Sequence, residues 1–275
     1  MPRTAYEEQY QRDGYLFLAD YYSPDEVACL REPVNQALAV GGVRTVAEAN
    51  KQAVRSIYGV HQHSPAFSRL ARHRKLALLA EELLAGQSYI YQSKLNFKAA
   101  FEGDRWDWHQ DFIFWQLEDG MPAPKVLTAM VFLDDVTEFN GPLMLVPGSH
   151  REGVLPSATY EGKPQGYEDD QAWISNLTAQ LKYSVHRDAL ARLVAQSGLV
   201  APKGRAGSVL FFHGNLVHAS QQNMSPFPRT ILLLTYNRVD NAPKLESLRR
   251  PDFLVSRDTR PMQIISDELS ILLAS

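Results

Sequence analysis

The string Trp106-Asp107-Trp108-His109-Gln110-Asp111 sets an imidazole and a carboxylate two residues apart. In extended backbone, residues i and i+2 project to the same side, so His109 and Asp111 converge. His-x-Asp alone is common, and its meaning depends on a third donor. Downstream, Phe211-Phe212-His213-Gly214-Asn215-Leu216-Val217-His218-Ala219-Ser220 offers two, His213 and His218, after an apolar run. Arg229 follows His218 by eleven residues and opens the apolar run Ile231-Leu232-Leu233-Leu234. Two imidazoles and one carboxylate on one face of a metal, with the other positions free, are how proteins hold a non-haem Fe(II) that must meet reactants. A guanidinium beside it would grip a carboxylate at two points.

Strands must present these groups and helices must brace the strands. Residues 89–97 are aromatic-rich and polar at every second position from Gln92, as a half-buried strand would be, which puts Gln92, Lys94 and Asn96 on one face. Further strands are expected at 126–133, 143–146, 208–212 and 230–236, divided by turn signals such as Asn140-Gly141-Pro142 and Pro147-Gly148. Ser23-Pro24-Asp25-Glu26 has the hydroxyl, proline and carboxylate of a helix start, predicting a helix towards Ala39 interrupted at Pro33. A second helix is expected from Ser64-Pro65, with Leu70, Leu76, Leu79 and Leu83 in one stripe and Gly86 as its stop. Residues 155–204 are polar at first and then helical around 187–196, so they read as an insertion between strands. The expected fold is mainly β with helical additions, a sandwich or jelly roll. It is expected as a single domain over residues 1–275, with N-terminal helices at about 23–86 and a lid-like insertion at about 155–204.

Composition narrows the function classes. With 275 residues, 45% hydrophobic and 21% charged, the chain has the balance of a globular protein with a sizeable core. A net charge of -3 offers no overall cationic surface, so nucleic acid is not an expected partner. The single cysteine, Cys29, excludes an internal disulfide. The first residues are charged where a signal peptide needs an apolar segment, and no run is long enough to span a membrane. A cytoplasmic location is therefore expected, and the sequon Asn176-Leu177-Thr178 reads as chance.

The block Trp108-His109-Gln110-Asp111-Phe112-Ile113-Phe114-Trp115 is followed by Glu118-Asp119-Gly120-Met121, Asn140-Gly141-Pro142-Leu143 and Val146-Pro147-Gly148-Ser149-His150. Then come His218-Ala219-Ser220, Asn223-Met224-Ser225-Pro226, Arg229 and Thr235-Tyr236-Asn237. Together these motifs resemble the phytanoyl-CoA dioxygenase-like branch of the Fe(II)/2-oxoglutarate dioxygenases over most of the chain. Within that branch the chain looks most similar to the bacterial L-proline trans-4-hydroxylases, with the ectoine hydroxylases a more distant relation. The resemblance implies a double-stranded β-helix core. It implies Fe(II) bound by His109, Asp111 and His218, and 2-oxoglutarate and O2 as cosubstrates. Arg229 is then the partner of the distal carboxylate of 2-oxoglutarate, with Ser220, Gln92 and Asn96 also contacting it. The family's spacing to the arginine selects His218 over His213. An aspartate at 111 points to hydroxylation, since related halogenases have a small residue there that leaves space for chloride.

The resemblance also bears on the substrate. Trp115 matches an aromatic that walls the substrate pocket of the ectoine enzymes. Their pattern has an acidic residue and an asparagine where this chain has Ile113 and Ile231. The expected substrate is accordingly a free L-amino acid, proline or a similar cyclic one hydroxylated at C4, with Lys94 meeting its carboxylate. The alternatives are another amino-acid-derived natural-product intermediate, free or carrier-bound, and a non-catalytic jelly-roll binding protein. For docking an acidic carrier, the late part of the chain offers only Arg249-Arg250.

Overall fold

Alternation along the long strands decides the architecture. The structure, a computed structural model, describes residues 3–244 and 249–266. Helix α1 (Arg3–Asp13) leads into β1 (Tyr15–Leu18), and α2 (Pro24–Ala28) and α3 (Arg31–Val40) precede the antiparallel pair β2 (Thr45–Ala47) and β3 (Val54–Tyr58). Helices α4 (Val60–His63), α5 (Pro65–Arg72) and α6 (Arg74–Leu84) come next, then β4 (Ser88–Lys98), β5 (Trp106–His109), α7 (Asp111–Asp119), β6 (Val126–Phe132) and β7 (Leu143–Leu145). The chain continues through β8 (Ser157–Thr159), β9 (Tyr183–Val185), α8 (Arg187–Ser197), β10 (Val209–His213), β11 (His218–Ser220) and β12 (Arg229–Arg238). A seven-stranded sheet ordered β1-β10-β6-β12-β4-β3-β2 and a three-stranded sheet ordered β5-β11-β7 form the two leaves of a jelly roll.

The large sheet is apolar on both faces, for two reasons. Leu95, Leu127, Ala129, Val131, Leu232 and Leu234 share a cluster with Leu70, Leu76 and Leu79, so α5 and α6 pack on its outer face. Met130, Phe132, Leu210, Phe212, Ile231 and Leu233 form a second cluster with Leu145 and Leu216, on the side of the small sheet. A sheet covered on both sides needs near-continuous apolar strands, and β6 is buried at all seven positions. In the β4–β12 ladder, Thr235 pairs with Gln92 but Tyr236 with Ile90. The extra residue, Tyr91, bulges, which turns its ring to the interior beside Trp115.

Helix boundaries depart from the sequence expectation at three places. The capping box forms, Ser23 Oγ accepting from Glu26 N at 3.2 Å and Glu26 Oε2 accepting from Ser23 N at 2.8 Å. The break towards Ala39, however, falls at Cys29 and Leu30, and Pro33 sits in the first turn of α3, where its missing N–H has no partner to lose. Leu70 lies in α5 and Leu76 in α6, because His73 between them is extended (φ -68°, ψ 137°). Helix α6 stops on Ala85 in the left-handed region (φ 52°, ψ 46°), one residue before Gly86. The stretch 23–86 also contains β2 and β3, and α1 and β1 precede it; their short apolar runs carry too little periodicity to read. Among the described residues, no helix is long and apolar enough to cross a membrane.

Candidate functional site

His109 closes β5 and Asp111 opens α7, so the two converge across a strand-to-helix junction and not along one strand. Gln110 makes the turn. Its backbone is extended (φ -117°, ψ 133°), and its amide donates to Gly153 O at 2.8 Å and Asn215 O at 2.6 Å and accepts from Leu155 N at 2.8 Å. Phe112 N donates to Gly214 O at 2.9 Å, anchoring the first turn of α7 beside the loop that leads to β11. On β11, His218 pairs directly with His109, and the two imidazole centroids lie 4.2 Å apart. Asp111 Oδ1 is 3.5 Å from His109 Nε2 and 3.9 Å from His218 Nε2, and one ligand atom from each of the three lies within 4.8 Å of the others.

Each ring is oriented by backbone. His109 Nδ1 donates to Asp107 O at 2.6 Å and His218 Nδ1 to Leu216 O at 2.9 Å, so both Nε2 lone pairs are free on the side of Asp111. Burial raises the Asp111 carboxyl, but His218, His109 and Lys94 together outweigh it and hold it well below the usual carboxylate range. Burial, with His109, lowers His218 to about 4. An ionised carboxylate and a neutral imidazole are the forms a metal requires. The rival donor His213 lies on β10, facing the rings of His150 at 5.2 Å and Tyr10 at 6.3 Å, and its Nδ1 accepts from Asn215 N at 3.0 Å. It is outside the cluster, as are His61, His63, His73, His150 and His186.

Arg229, at the start of β12, shares the inward row with Ile231 and Leu233, and it is 2% exposed. Its Nη2 donates to Asn96 Oδ1 at 3.0 Å and its Nη1 to Gly141 O, while Nε has no partner. Gly141 needs its left-handed backbone (φ 73°), and a Cβ there would lie 2.5 Å from Gln221 O. Both partners of Arg229 are neutral, and burial, then Arg55, lowers its guanidinium to about 9. Lys98, paired with Arg229 across the ladder, donates to Asp104 O at 2.6 Å and to Gln221 O. This corner is rich in buried cations, and Glu48, which pairs with Arg55, leaves Arg229 without a carboxylate partner. Ser220 is buried two residues after His218, next to Gln221.

The metal-binding cluster opens into a cavity of about 30 Å³. Gln92 and Lys94 from β4 line it, so their common face points inward as the alternation requires, although Gln92 Nε2 is already donated to Leu254 O at 2.7 Å. Lys94 Nζ stands 5.3 Å from the Trp106 ring and 5.9 Å from the Tyr58 ring, near aromatic faces that favour a cation. Trp115 both walls the cavity and packs edge-on to Tyr91 at 5.6 Å. The opposite wall comes from the insertion, through Asn176, Leu177 and Leu181. Arg250, which the sequence offers only as half of an exposed pair for docking a carrier, also lines the cavity. Far from being a surface cation, it is 6% exposed and grips Asp119 through Nε at 2.8 Å and through Nη2, while Tyr91 OH donates to the same carboxylate. No local pattern links residues 131 apart in the chain.

Comparison with known proteins places these features in context. A family model described as Phytanoyl-CoA dioxygenase (PhyH) matches residues 10–231. The L-proline trans-4-hydroxylase of Streptomyces griseoviridis is 40% identical over 254 residues, 92% of each chain. The ectoine dioxygenase of Sphingopyxis alaskensis is 40% identical over 237 residues, 84% of this chain and 74% of that one. The crystal structure of EctD from S. alaskensis with bound Fe superposes with a TM-score of 0.80 at 35% identity, covering 98% of this chain and 88% of that one. The EctD structure with 2-oxoglutarate and 5-hydroxyectoine gives the same TM-score at 34% identity and the same coverage.

Proposed function

Because the chain belongs to the phytanoyl-CoA dioxygenase family and is a dioxygenase of that kind, we propose that it hydroxylates an unactivated aliphatic carbon of a small free L-amino acid, coupled to decarboxylation of 2-oxoglutarate to succinate and CO2. The observation that carries this reading is the His109, Asp111 and His218 cluster together with a buried arginine at the start of β12 whose hydrogen-bond partners are all neutral. The residues fit both groups. Two oriented imidazoles and one ionised carboxylate suit Fe(II), and Arg229, with an unpartnered Nε, suits the distal carboxylate of a 2-oxo diacid. Bound there, Fe(II) activates O2 towards an aliphatic C–H bond.

The chain's own residues do the rest. His109, Asp111 and His218 would hold the metal, with His109 and Asp111 presenting it to the cavity. Arg229, Asn96 and Ser220 orient the cosubstrate with Gln92. Lys94, which lines the cavity with His109 and Asp111, meets the substrate carboxylate, and Trp115 limits the room behind it. Proline or a similar cyclic amino acid, hydroxylated at C4, is the preferred substrate. Ile113 and Ile231 are buried in apolar clusters, where the ectoine pattern has polar side chains. Incubation with Fe(II), 2-oxoglutarate and a panel of free amino acids should add one oxygen to proline or a near relative, read by mass spectrometry. Turnover of ectoine alone, or of no amino acid, would overturn the assignment.

The insertion over 155–204 acts as the lid of this site. The cavity is narrow, about 30 Å³, and the insertion closes one side of it through Asn176, Leu177 and Leu181, so admitting an amino acid falls to movement of the parts of the insertion that flank them. Leu177 and Leu181 are buried in an apolar cluster and Leu177 O is bound by Arg55, so this wall stays with the large sheet, while the flanking parts of the insertion are held by polar contacts that can exchange with water. Lys182 Nζ and Tyr183 OH donate to Glu118 Oε1 at 2.6 and 2.8 Å, and Lys51 Nζ to Asp170 Oδ2 at 2.6 Å. Substrate and 2-oxoglutarate, with an inert metal replacing iron, should slow proteolysis between 157 and 170 more than elsewhere. Equal cleavage with and without ligands would make this segment an ordinary surface loop.

A further inference from the structure

Asn176 belongs to a sequon, yet it is 6% exposed and Thr178 is fully buried, its Oγ1 donating to Gln180 O at 2.9 Å. A glycan has no room there. Asn176 instead lines the cavity in front of the metal cluster, and its Oδ1 has no hydrogen-bond partner. A buried amide carbonyl without a partner is costly, and in native proteins such an atom is commonly matched by a ligand or water. The residue is held in place from outside the cavity. The next carbonyl, Leu177 O, accepts from Arg55 Nε at 3.2 Å, and Arg55 is fixed by Glu48 at 3.0 Å and by Arg105 O at 2.7 Å. Arg55, at 0% exposure, is part of β3, so the Asn176 segment is pinned to the large sheet.

The charges around the cavity are uneven. Lys94 and Arg250 supply cations on it, and Arg250 is already matched by Asp119. Asp111 is the one carboxylate lining it, and that carboxylate faces the imidazoles of His109 and His218. An amino acid brings a carboxylate and a protonated amine. The carboxylate has Lys94, and the amine needs an acceptor that does not compete with the metal ligands. We propose that Asn176 Oδ1 accepts a hydrogen bond from the protonated amine of the substrate, so that the insertion reads the substrate as an amino acid and not as a plain carboxylic acid. This rests on the amino-acid hydroxylase reading above and adds the residue that recognises the nitrogen. A neutral acceptor of this kind suits a secondary amine such as that of proline as well as a primary one.

The test uses L-proline as substrate and cyclopentanecarboxylate, which keeps the ring and carboxylate but lacks nitrogen, as a competing ligand. Asn176→Leu should raise the KM for L-proline tenfold or more, the effect of losing a hydrogen bond to a charged group. It should leave the KM for 2-oxoglutarate, the thermal unfolding midpoint and inhibition by cyclopentanecarboxylate unchanged. Asn176→Asp, which keeps the acceptor, should restore tight use of L-proline. Unchanged KM for L-proline in Asn176→Leu, or equal weakening of L-proline and cyclopentanecarboxylate, would overturn the proposal. If the unmodified enzyme hydroxylates no amino acid, the failure lies with the functional reading itself and is seen before any variant is compared.

Discussion

An Asp111→Ala chain is expected to fold, to lose its iron and to hydroxylate nothing. Asp111 is the one anionic donor of the cluster, and its neighbours hold it ionised against the pull of burial. Removing it leaves two neutral imidazoles, and His109 and His218 cannot fix a divalent cation between them with comparable strength. Loss of an outer partner at a metal site typically costs about 10–100-fold, so loss of the ligand itself should lower turnover by more than about 100-fold. The fold should tolerate the change. The Asp111 side chain is 15% exposed, has no Lys or Arg ion-pair partner among the described residues, and faces His109 and His218, which the metal would bring together anyway; its other role is a favourable charge at the start of α7, worth about 0.3–1 kcal/mol. Thermal unfolding should shift by a few degrees at most, while metal analysis shows an empty protein. Hydroxylation persisting with iron still bound would remove Asp111 from the metal.

Arg229 separates the two kinds of cation. Lysine keeps the charge but loses the planar two-point grip, so Arg229→Lys should raise the apparent KM for 2-oxoglutarate by about 10–100-fold, the equivalent of about 1.5–3 kcal/mol. An unchanged KM would mean that the cosubstrate carboxylate lies elsewhere. Arg229→Met should do something less intuitive. A buried guanidinium with only neutral partners and an idle Nε is a charge taken from water without full repayment, and replacing such groups by apolar ones often stabilises a fold by about 1–4 kcal/mol. That variant should therefore melt a few degrees higher without ligands and respond to no concentration of 2-oxoglutarate. A destabilised Arg229→Met chain would show that Asn96 and Gly141 are enough to support the charge.

The strand periods were legible because each strand's own side chains carry them. Residues 126–133 and 230–236 read as apolar runs, and β6 and β12 lie there, since strands buried on both faces need apolar side chains at every position. Gln92, Lys94 and Asn96 read as one polar face and do lie inward, because alternation along β4 holds on that side of the bulge. The bulge itself was invisible. It is decided by how β12 pairs with β4, and it is the reason Tyr91 joins Trp115 and Asp119 in the interior.

The sequence by itself determined the chemistry on offer: a His-x-Asp pair, two downstream histidines and an arginine at the head of an apolar strand, with residue types that suit a metal and a carboxylate. The tertiary structure decided which groups meet. Strand pairing sets His218 opposite His109 and leaves His213 against His150, and a helix start, not a continued strand, brings Asp111 to both. Arg250 reaches the cavity from 131 residues beyond its partner Asp119, and Asn176 reaches it beside Leu177, which lies 122 residues beyond its partner Arg55. Spacing along a chain encodes which neighbours share a face, because that depends on local backbone geometry alone. Contacts over such distances depend on how whole elements pack, and no short stretch of residues carries that information.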